Sequence, residues 1–363
     1  MESLSFLPGP VKLHPQIFAD LAAFPLSHRT EEFKQIFHDT CSLLSQMTHT
    51  KHTALLMGSG TLANEVIAAQ LSTLDGKGLI LSNGEFGERL VEQAHRFSLD
   101  FEHLSFAWGD GFNYPQVADY ILQHKPSWVW FVHVETSTGI LNDLPQLLQI
   151  CKQTGTKVCV DCMSSIGNMP LDLSEVYLAA ASSGKGLASF NGIALVFSNH
   201  IPAVQRNLPK YLDLGYYYIK DKIPFTFSYN LLFALYKELK RTCLEERVQE
   251  TARIYSEFSC LLKRYSISVL GNEQDRVNFI FTLVFKNPGE SIRFGDYCAR
   301  HHILVHYKND YLKARNWVQI AFMGHHSLET SRSLFTTFLL WHNEKRGISN
   351  RSLEEFPQMV CCK

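Results

Sequence analysis

The chain has 363 residues, carries a formal net charge of −1 at pH 7, and is 45% hydrophobic and 19% charged. That length is too great for one small core and suits two domains in one subunit. Near-neutrality argues against a nucleic-acid or anionic-membrane partner, and no apolar run approaches the roughly 18 to 20 residues that cross a bilayer.

Met1 to Pro10 lack the basic start and long apolar stretch of a signal peptide, so the expected address is cytoplasmic. From Lys51 to about Asn199, short apolar runs alternate with helical stretches. Strands are expected at 78–82, 128–135, 157–161, 176–181 and 193–197, apolar nearly throughout, as strands covered on both faces are. Helices are expected at 61–71, 85–96 and 144–153, the last with Pro145 in its first turn, where a missing N–H costs little. This βαβ series predicts an α/β fold with a mostly parallel central sheet. After Phe225 the texture changes. Residues 228–264 are rich in helix formers, and strands at 277–285 and 317–322 alternate with helices at 291–301 and 327–345. The expected division is a large domain, 1–240, and a smaller α+β domain, 241–363.

Nine cysteines form no disulfide framework. Cys159 and Cys162 read C-x-x-C, but on a strand residues three apart point to opposite faces, which disfavours chelation and disulfide formation. Cys361 and Cys362 fall on a tail expected to fray. His301-His302 and His325-His326 are adjacent pairs with diverging side chains. His49 and His52 could share a helix face, yet no carboxylate completes a set, so no metal site is expected.

In open parallel sheets, ligands collect outside the carboxyl ends of the strands. There the chain reads Asn83-Gly84-Glu85-Phe86-Gly87, Glu135-Thr136-Ser137-Thr138-Gly139, Asp161-Cys162-Met163-Ser164-Ser165 and Ser182-Ser183-Gly184-Lys185-Gly186. Polar and glycine-rich text at four apolar strand ends locates a site. Gly58-Ser59-Gly60-Thr61 precedes a helix. It reads equally as an anion-binding helix N-terminus and as an ordinary turn with Thr61 as N-cap. Asp161 ends a buried strand and must be paired or hydrogen-bonded there; alone it reads as an N-cap. Lys185 lies among small residues right after an apolar strand. Together, 24 residues apart, they supply a buried anion for a protonated pyridine nitrogen and an amine for an aldehyde.

At these residues the chain resembles the class V aminotransferases of fold type I, in the branch of 2-aminoethylphosphonate–pyruvate and alanine/serine–glyoxylate aminotransferases. The resemblance also includes Leu7-Pro8-Gly9-Pro10-Val11 and Pro25-Leu26-Ser27-His28-Arg29, and continues more weakly through Pro224-Phe225-Thr226 into the C-terminal half. It implies a pyridoxal 5'-phosphate (PLP)-dependent transferase that moves an amino group from a small amino donor to a 2-oxo acid. Lys185 would bind the cofactor aldehyde covalently and, once released, move a proton between the substrate carbon and the cofactor. Asp161 would hold the pyridine nitrogen. Phe86 and Met163 would pack on opposite ring faces. Ser59, Gly60 and Thr61 would hold the phosphate, and Thr136 the ring's 3-oxygen side. Thr226 would reach the phosphate of a neighbouring subunit, making a homodimer with its active site at the interface. Pro8 and Gly9 would line the substrate pocket.

Two positions depart from the family pattern. Gly184 precedes the lysine, where relatives commonly have Gln, Asn or His. Gln319 stands where they carry the arginine that grips the substrate carboxylate in a bidentate fork. Arg315 is the expected stand-in: if 314–322 is one strand, it shares a face with Gln319, about 13 Å away at ~3.3 Å per residue. His306, Lys308, His325 and Arg29 are further possibilities. Three functional readings remain: an aminotransferase; a PLP-dependent lyase, decarboxylase or desulfurase on the same fold; and a degenerate, non-catalytic relative. A desulfurase needs a cysteine on a mobile loop, and Cys298 reads as helical. The intact Lys185/Asp161 pair argues against degeneracy, and Gln319 mildly for it.

Overall fold

The structure, a computed structural model, describes residues 3–346. Cys361 and Cys362 lie outside them. Seven strands make the central sheet: β1 His52–Met57, β2 Gly78–Ser82, β3 Phe101–Ser105, β4 Trp128–Val132, β5 Lys157–Asp161, β6 Leu178–Ser182 and β7 Ile193–Ser198. Their spatial order is β1-β7-β6-β5-β4-β2-β3. All neighbours pair parallel except β7, which runs antiparallel to both β1 and β6.

The reason for this sheet is written in the strands. Trp128, Val129, Trp130 and Phe131 are all buried, because helices cover both faces. Two apolar clusters divide them: Val129 and Phe131 belong to one, Trp128 and Trp130 to the other. The expected strand 128–135 stops at Val132. Val134–Glu135 instead forms a small antiparallel pair with Ile140–Leu141. Cys159 and Cys162 fall into opposite clusters and are free thiols, as the strand periodicity requires.

Several elements escaped the sequence pattern, among them the helix Tyr114–His124, two strands of the central sheet and the first long helix. β1 opens on His52, and β3 is an edge strand, half exposed, whose polar residues mask its period. The helix α1, Glu31–Thr48, starts at Thr30, whose hydroxyl accepts from the Phe33 N–H. It buries Phe33, Phe37, Cys41 and Leu44 along one stripe. His49 ends this helix in the left-handed region and His52 begins β1, so the two histidines do not share a helix face.

Beyond the sheet, the expected helical run 228–264 is two helices, α2 Tyr229–Arg241 and α3 Leu244–Arg264, separated at Thr242 and Cys243. A three-stranded antiparallel sheet follows: β8 Ser268–Val269, β9 Ile280–Val284 and β10 Trp317–Ala321, in the order β8-β9-β10. Its core unites Phe258, Phe281, Phe294, Phe322 and Phe338, and also Phe6 from the start of the chain. Leu4–Ser5 pairs parallel with Ile303–Leu304. The N-terminal segment therefore folds with the C-terminal one and then runs on to the helix Tyr229–Arg241.

The connections set the site. From β2 the chain moves outward to β3, then crosses back past β2 to β4, β5 and β6. The order reverses between β2 and β4, so a crevice opens outside their carboxyl ends.

Candidate active site

A cavity of about 510 Å³, in the range of small-molecule sites, lies on the same side of the sheet, outside the carboxyl ends of β2, β5 and β6. Gly9, Gly60, Thr61, Phe86, Asp161, Met163 and Lys185 line it, from segments far apart in sequence. Pro10 also faces it, whereas Pro8 is buried behind. Ser59, Gln319, Arg315 and Thr226 are not among its lining residues.

Lys185 follows β6. Its Nζ donates to Ser164 Oγ at 3.1 Å and Thr136 Oγ1 at 3.5 Å, and those two hydroxyls bond each other. The amine stands 5.1 Å from the centre of the Phe86 ring. Burial lowers its pKa from the ordinary lysine value; Asp161 and Glu135 oppose the shift and Arg89 adds to it. Asp161, at the end of β5, is 5% exposed. Its Oδ2 accepts from Asn64 Nδ2 at 2.7 Å and its Oδ1 from the Met163 N–H at 2.8 Å. Burial raises this carboxyl's pKa, and Asn64, Met163 and Lys185 pull it back. Asn64 Oδ1 is buried with no partner, on the cavity wall.

The helix Gly60–Leu71 points its N-terminus at the cavity. Ser59 is its N-cap, not Thr61, and no side-chain cap bond forms, so the exposed Ser59 hydroxyl is not used by the helix. A side chain at Gly60 would meet the end of the Met163 side chain, which would have to move aside. Across the cavity, helix Glu85–Arg96 begins at Gly84. Its first turn is held by Glu135, fully buried, which accepts from the N–H groups of Gly87 at 2.9 Å and Phe86 at 3.3 Å. Glu135 also accepts from the Ser137 N–H at 3.0 Å and its hydroxyl at 2.6 Å. Thus the Phe86 ring is positioned by an acid at the end of the neighbouring strand. Asn64, Glu135 and Ser164 received no role from the sequence. Glu135 and Ser164 both sat inside strand-end motifs already quoted, without a role of their own.

The expected substrate residues are placed differently. Gln319 is fully buried in β10. Its Nε2 donates to the Thr136 carbonyl at 2.6 Å and Thr282 Oγ1 at 3.1 Å. Its Oε1 accepts from Tyr311 OH and His306 Nδ1, both at 3.1 Å. Every polar atom of the side chain has a partner. Residues 314–322 are not one strand: Arg315 ends the helix Asp310–Arg315, and Asn316 caps it in the left-handed region before β10 starts. Arg315 stacks 3.8 Å from the Trp108 ring centre, so it does not share a strand face with Gln319. His325 bonds Glu238, and Arg29 is exposed. Thr226 is exposed outside the cavity. The cations that do face the cavity are Lys185, Arg89 and Arg96. Arg89 lies 4.8 Å over Phe86 and pairs with Glu85 at 3.1 Å. At Gly184 a side chain would meet Asn191, another cavity residue. Among the described residues no cluster of His, Cys, Asp and Glu could hold a metal ion, and no helix is long and apolar enough to cross a membrane.

The chain is similar to known proteins. The family model for aminotransferase class-V matches residues 18–216. The 42 kDa subunit of soluble hydrogenase from Anabaena cylindrica is 33% identical over 251 residues, 64% of each chain. A 2-aminoethylphosphonate–pyruvate transaminase from Pseudomonas putida is 34% identical over 174 residues, 46% of this chain and 47% of that one. The chain thus spans less than two thirds of these two relatives. In three dimensions, the crystal structure of alanine–glyoxylate aminotransferase from Nostoc sp. superposes with a TM-score of 0.84 at 25% identity, covering 93% of this chain and 94% of that one.

Proposed function

Since this chain belongs to the class-V aminotransferase family, we propose that it moves an amino group from a small amino donor to a 2-oxo acid, with PLP as cofactor. The observation that carries this reading is one cavity holding both Lys185, its amine biased toward the neutral form, and the buried carboxylate of Asp161.

The residues fit the cofactor. Asn64 Oδ1 is a buried acceptor without a partner beside Asp161. Gly60 leaves room that any side chain would fill, and the N-terminus behind it suits a phosphate. Phe86 and Met163 supply apolar walls. When bound, the cofactor supplies an aldehyde that takes up the amino group and a ring that withdraws electrons. The chain's own contribution is then specific. The carboxylate of Asp161 would keep a proton on the ring nitrogen. The Lys185 Nζ, kept neutral by burial, would take a proton from the donor carbon and pass it to the cofactor, with Ser164 and Thr136 orienting its lone pair. Gly60 and Thr61 on the cavity wall, with the exposed Ser59 hydroxyl next to them, would hold the phosphate. Thr226, exposed on the same chain, is suited to reach a second copy and make the enzyme a homodimer.

The donor is the less defined half. Gln319 has no free donor to offer a carboxylate. Arg89, on the cavity wall and beside Phe86, is the candidate cation for an anionic group of the substrate. A desulfurase is disfavoured because Cys298 is fully buried in the helix Glu290–Arg300, where burial pushes its thiol up to about 12.

Incubation with PLP, borohydride reduction and peptide mapping test the cofactor half. Modification at Lys185 is expected; a single other lysine carrying it overturns the reading. A donor panel of alanine, serine and 2-aminoethylphosphonate, with pyruvate and glyoxylate as acceptors, tests the transfer. Product formed only by carbon dioxide or sulfide release would make the chain a lyase.

A further inference from the structure

A buried ionic cluster lies behind the cavity, and the chemistry above does not use it. Glu238, at the end of α2, is fully buried. Its carboxylate accepts from Arg241 at 2.7 Å and Thr242 Oγ1 at 2.9 Å, and bonds His325. Arg247, in α3, reaches it at 3.4 Å with a side chain only 9% exposed. The same guanidinium donates to Thr242 Oγ1 at 2.9 Å and lies 3.3 Å from His325 Nε2.

The other nitrogen of Arg247 turns toward the site. Nη1 donates to the carbonyl of Gly186, the residue after Lys185, and to the carbonyl of Gly167 at 3.4 Å. Gly167 belongs to the loop that follows Asp161. The two loops touch at this point: a side chain on Gly167 would strike the Gly186 backbone, and one on Gly186 would strike the Ile166 carbonyl. Arg247 therefore clips the Lys185 loop and the Asp161 loop together where they meet, through a planar fork that lysine cannot reproduce. The cluster also holds the N-terminal segment. The His325 N–H donates to the Lys12 carbonyl at 2.9 Å, and its ring packs 5.1 Å from that of His14. Arg241 bonds Asp20. Gly9 and Pro10, a few residues upstream, form part of the cavity wall.

We propose that Arg247 is a positioning residue for Lys185: it fixes the backbone carbonyl next to the reactive lysine and joins that loop to the Asp161 loop and to the segment carrying Gly9 and Pro10. The proposal rests on Lys185 being the reactive amine. A displacement of about 1 Å at such a group costs up to roughly a hundredfold in rate, so a clip outside the cavity has leverage inside it.

The test compares Arg247→Lys, Arg247→Gln and Thr242→Val with wild type. Backbone hydrogen exchange over 183–188, measured in protein stripped of small molecules, is expected to accelerate in both Arg247 variants and less in Thr242→Val. In the loaded protein, kcat is expected to fall roughly tenfold or more with KM little changed, and the pH midpoint of the visible cofactor band to shift. Exchange over 183–188 unchanged in Arg247→Lys and Arg247→Gln would overturn the proposal. So would equal loss of kcat and rise of KM with an unshifted midpoint, the mark of general loosening. Should Arg247→Gln fail to fold, Arg247→Lys and Thr242→Val still decide. Absence of any transamination by wild type would sink the proposed function but leave the exchange result standing.

Discussion

At Lys185 two influences oppose each other. Burial favours the neutral amine, while the carboxylates of Asp161 and Glu135 favour the charged one. Removing Asp161 removes an opposing charge, so Asp161→Ala leaves the lysine at least as reactive toward an aldehyde. Borohydride trapping at Lys185 is therefore expected to survive in Asp161→Ala while turnover falls by on the order of a thousandfold, about 4 kcal/mol. Trapping and turnover lost together would assign Asp161 a merely structural part. Ser164 is subtler. Its hydroxyl bonds the lysine amine and the Thr136 hydroxyl, and one such bond contributes about 0.5–1.5 kcal/mol. Ser164→Ala should slow capture of PLP by up to roughly tenfold, followed by stopped-flow absorbance; an unchanged rate would make the contact incidental. Lys185 and Asp161 were legible in sequence because rare residues at apolar strand ends stand out. Ser164 was not, since a serine in a loop says nothing of what it faces. Arg315 was misread because Asn316, in the left-handed region, ends a short helix where an unbroken strand had been assumed.

Among the elements, helix Glu85–Arg96 depends on Glu135 more than on its own cap, for Gly84 offers no side chain. The Glu135 carboxylate accepts four bonds. Glu135→Gln halves its capacity and presents an amide N–H to backbone N–H groups. We expect a loss of about 2–3 kcal/mol, read as a lower denaturant midpoint, together with weaker PLP binding because Phe86 shifts. A variant with normal stability and normal affinity would show that the helix start holds without this acid. The strands covered on both faces were legible from their unbroken apolar runs. The edge strand β3 was not, because polar residues interrupt its period, nor was β1, whose short apolar run starts only after His52 and Thr53 and is defined by its pairing with β7. The break between α2 and α3 was hidden for a related reason. Thr242 and Cys243 are ordinary in sequence, and the turn is fixed by Glu238 and Arg247 gripping Thr242 from either side.

Over the whole molecule, stability and site share their supports. Glu238 is the clearest case: burial alone would raise its pKa, but His325, Thr242 and Arg241 outweigh burial and hold it below the ordinary value. A carboxyl depressed in the folded state stabilises above its unfolded pKa, and that stability is lost as pH falls through the folded value. Melting temperature should therefore drop on acidification below about pH 4.3, the ordinary glutamate value, and the drop should be shallower in Glu238→Gln. Parallel melting curves would show that other carboxylates govern acid unfolding. Gln319 ties β10 to the Thr136 carbonyl beside the lysine. Gln319→Leu leaves that carbonyl without its partner, at a cost of about 1–3 kcal/mol, and is expected to lower both the melting temperature and kcat; normal kcat would separate the two roles. The pairing of Leu4–Ser5 with Ile303–Leu304 bears on how the protein is born. The early strand leaves the ribosome about 300 residues before its partner, on the order of tens of seconds at normal elongation rates. Until then the stretch with Gly9 and Pro10 is braced only from its far side, through Asp20 and Leu21 to Arg241 and Asn230. Nascent chains halted before residue 303 should retain PLP less well than longer ones even with the central sheet already made, so cofactor capture is expected to wait on the C-terminal segment.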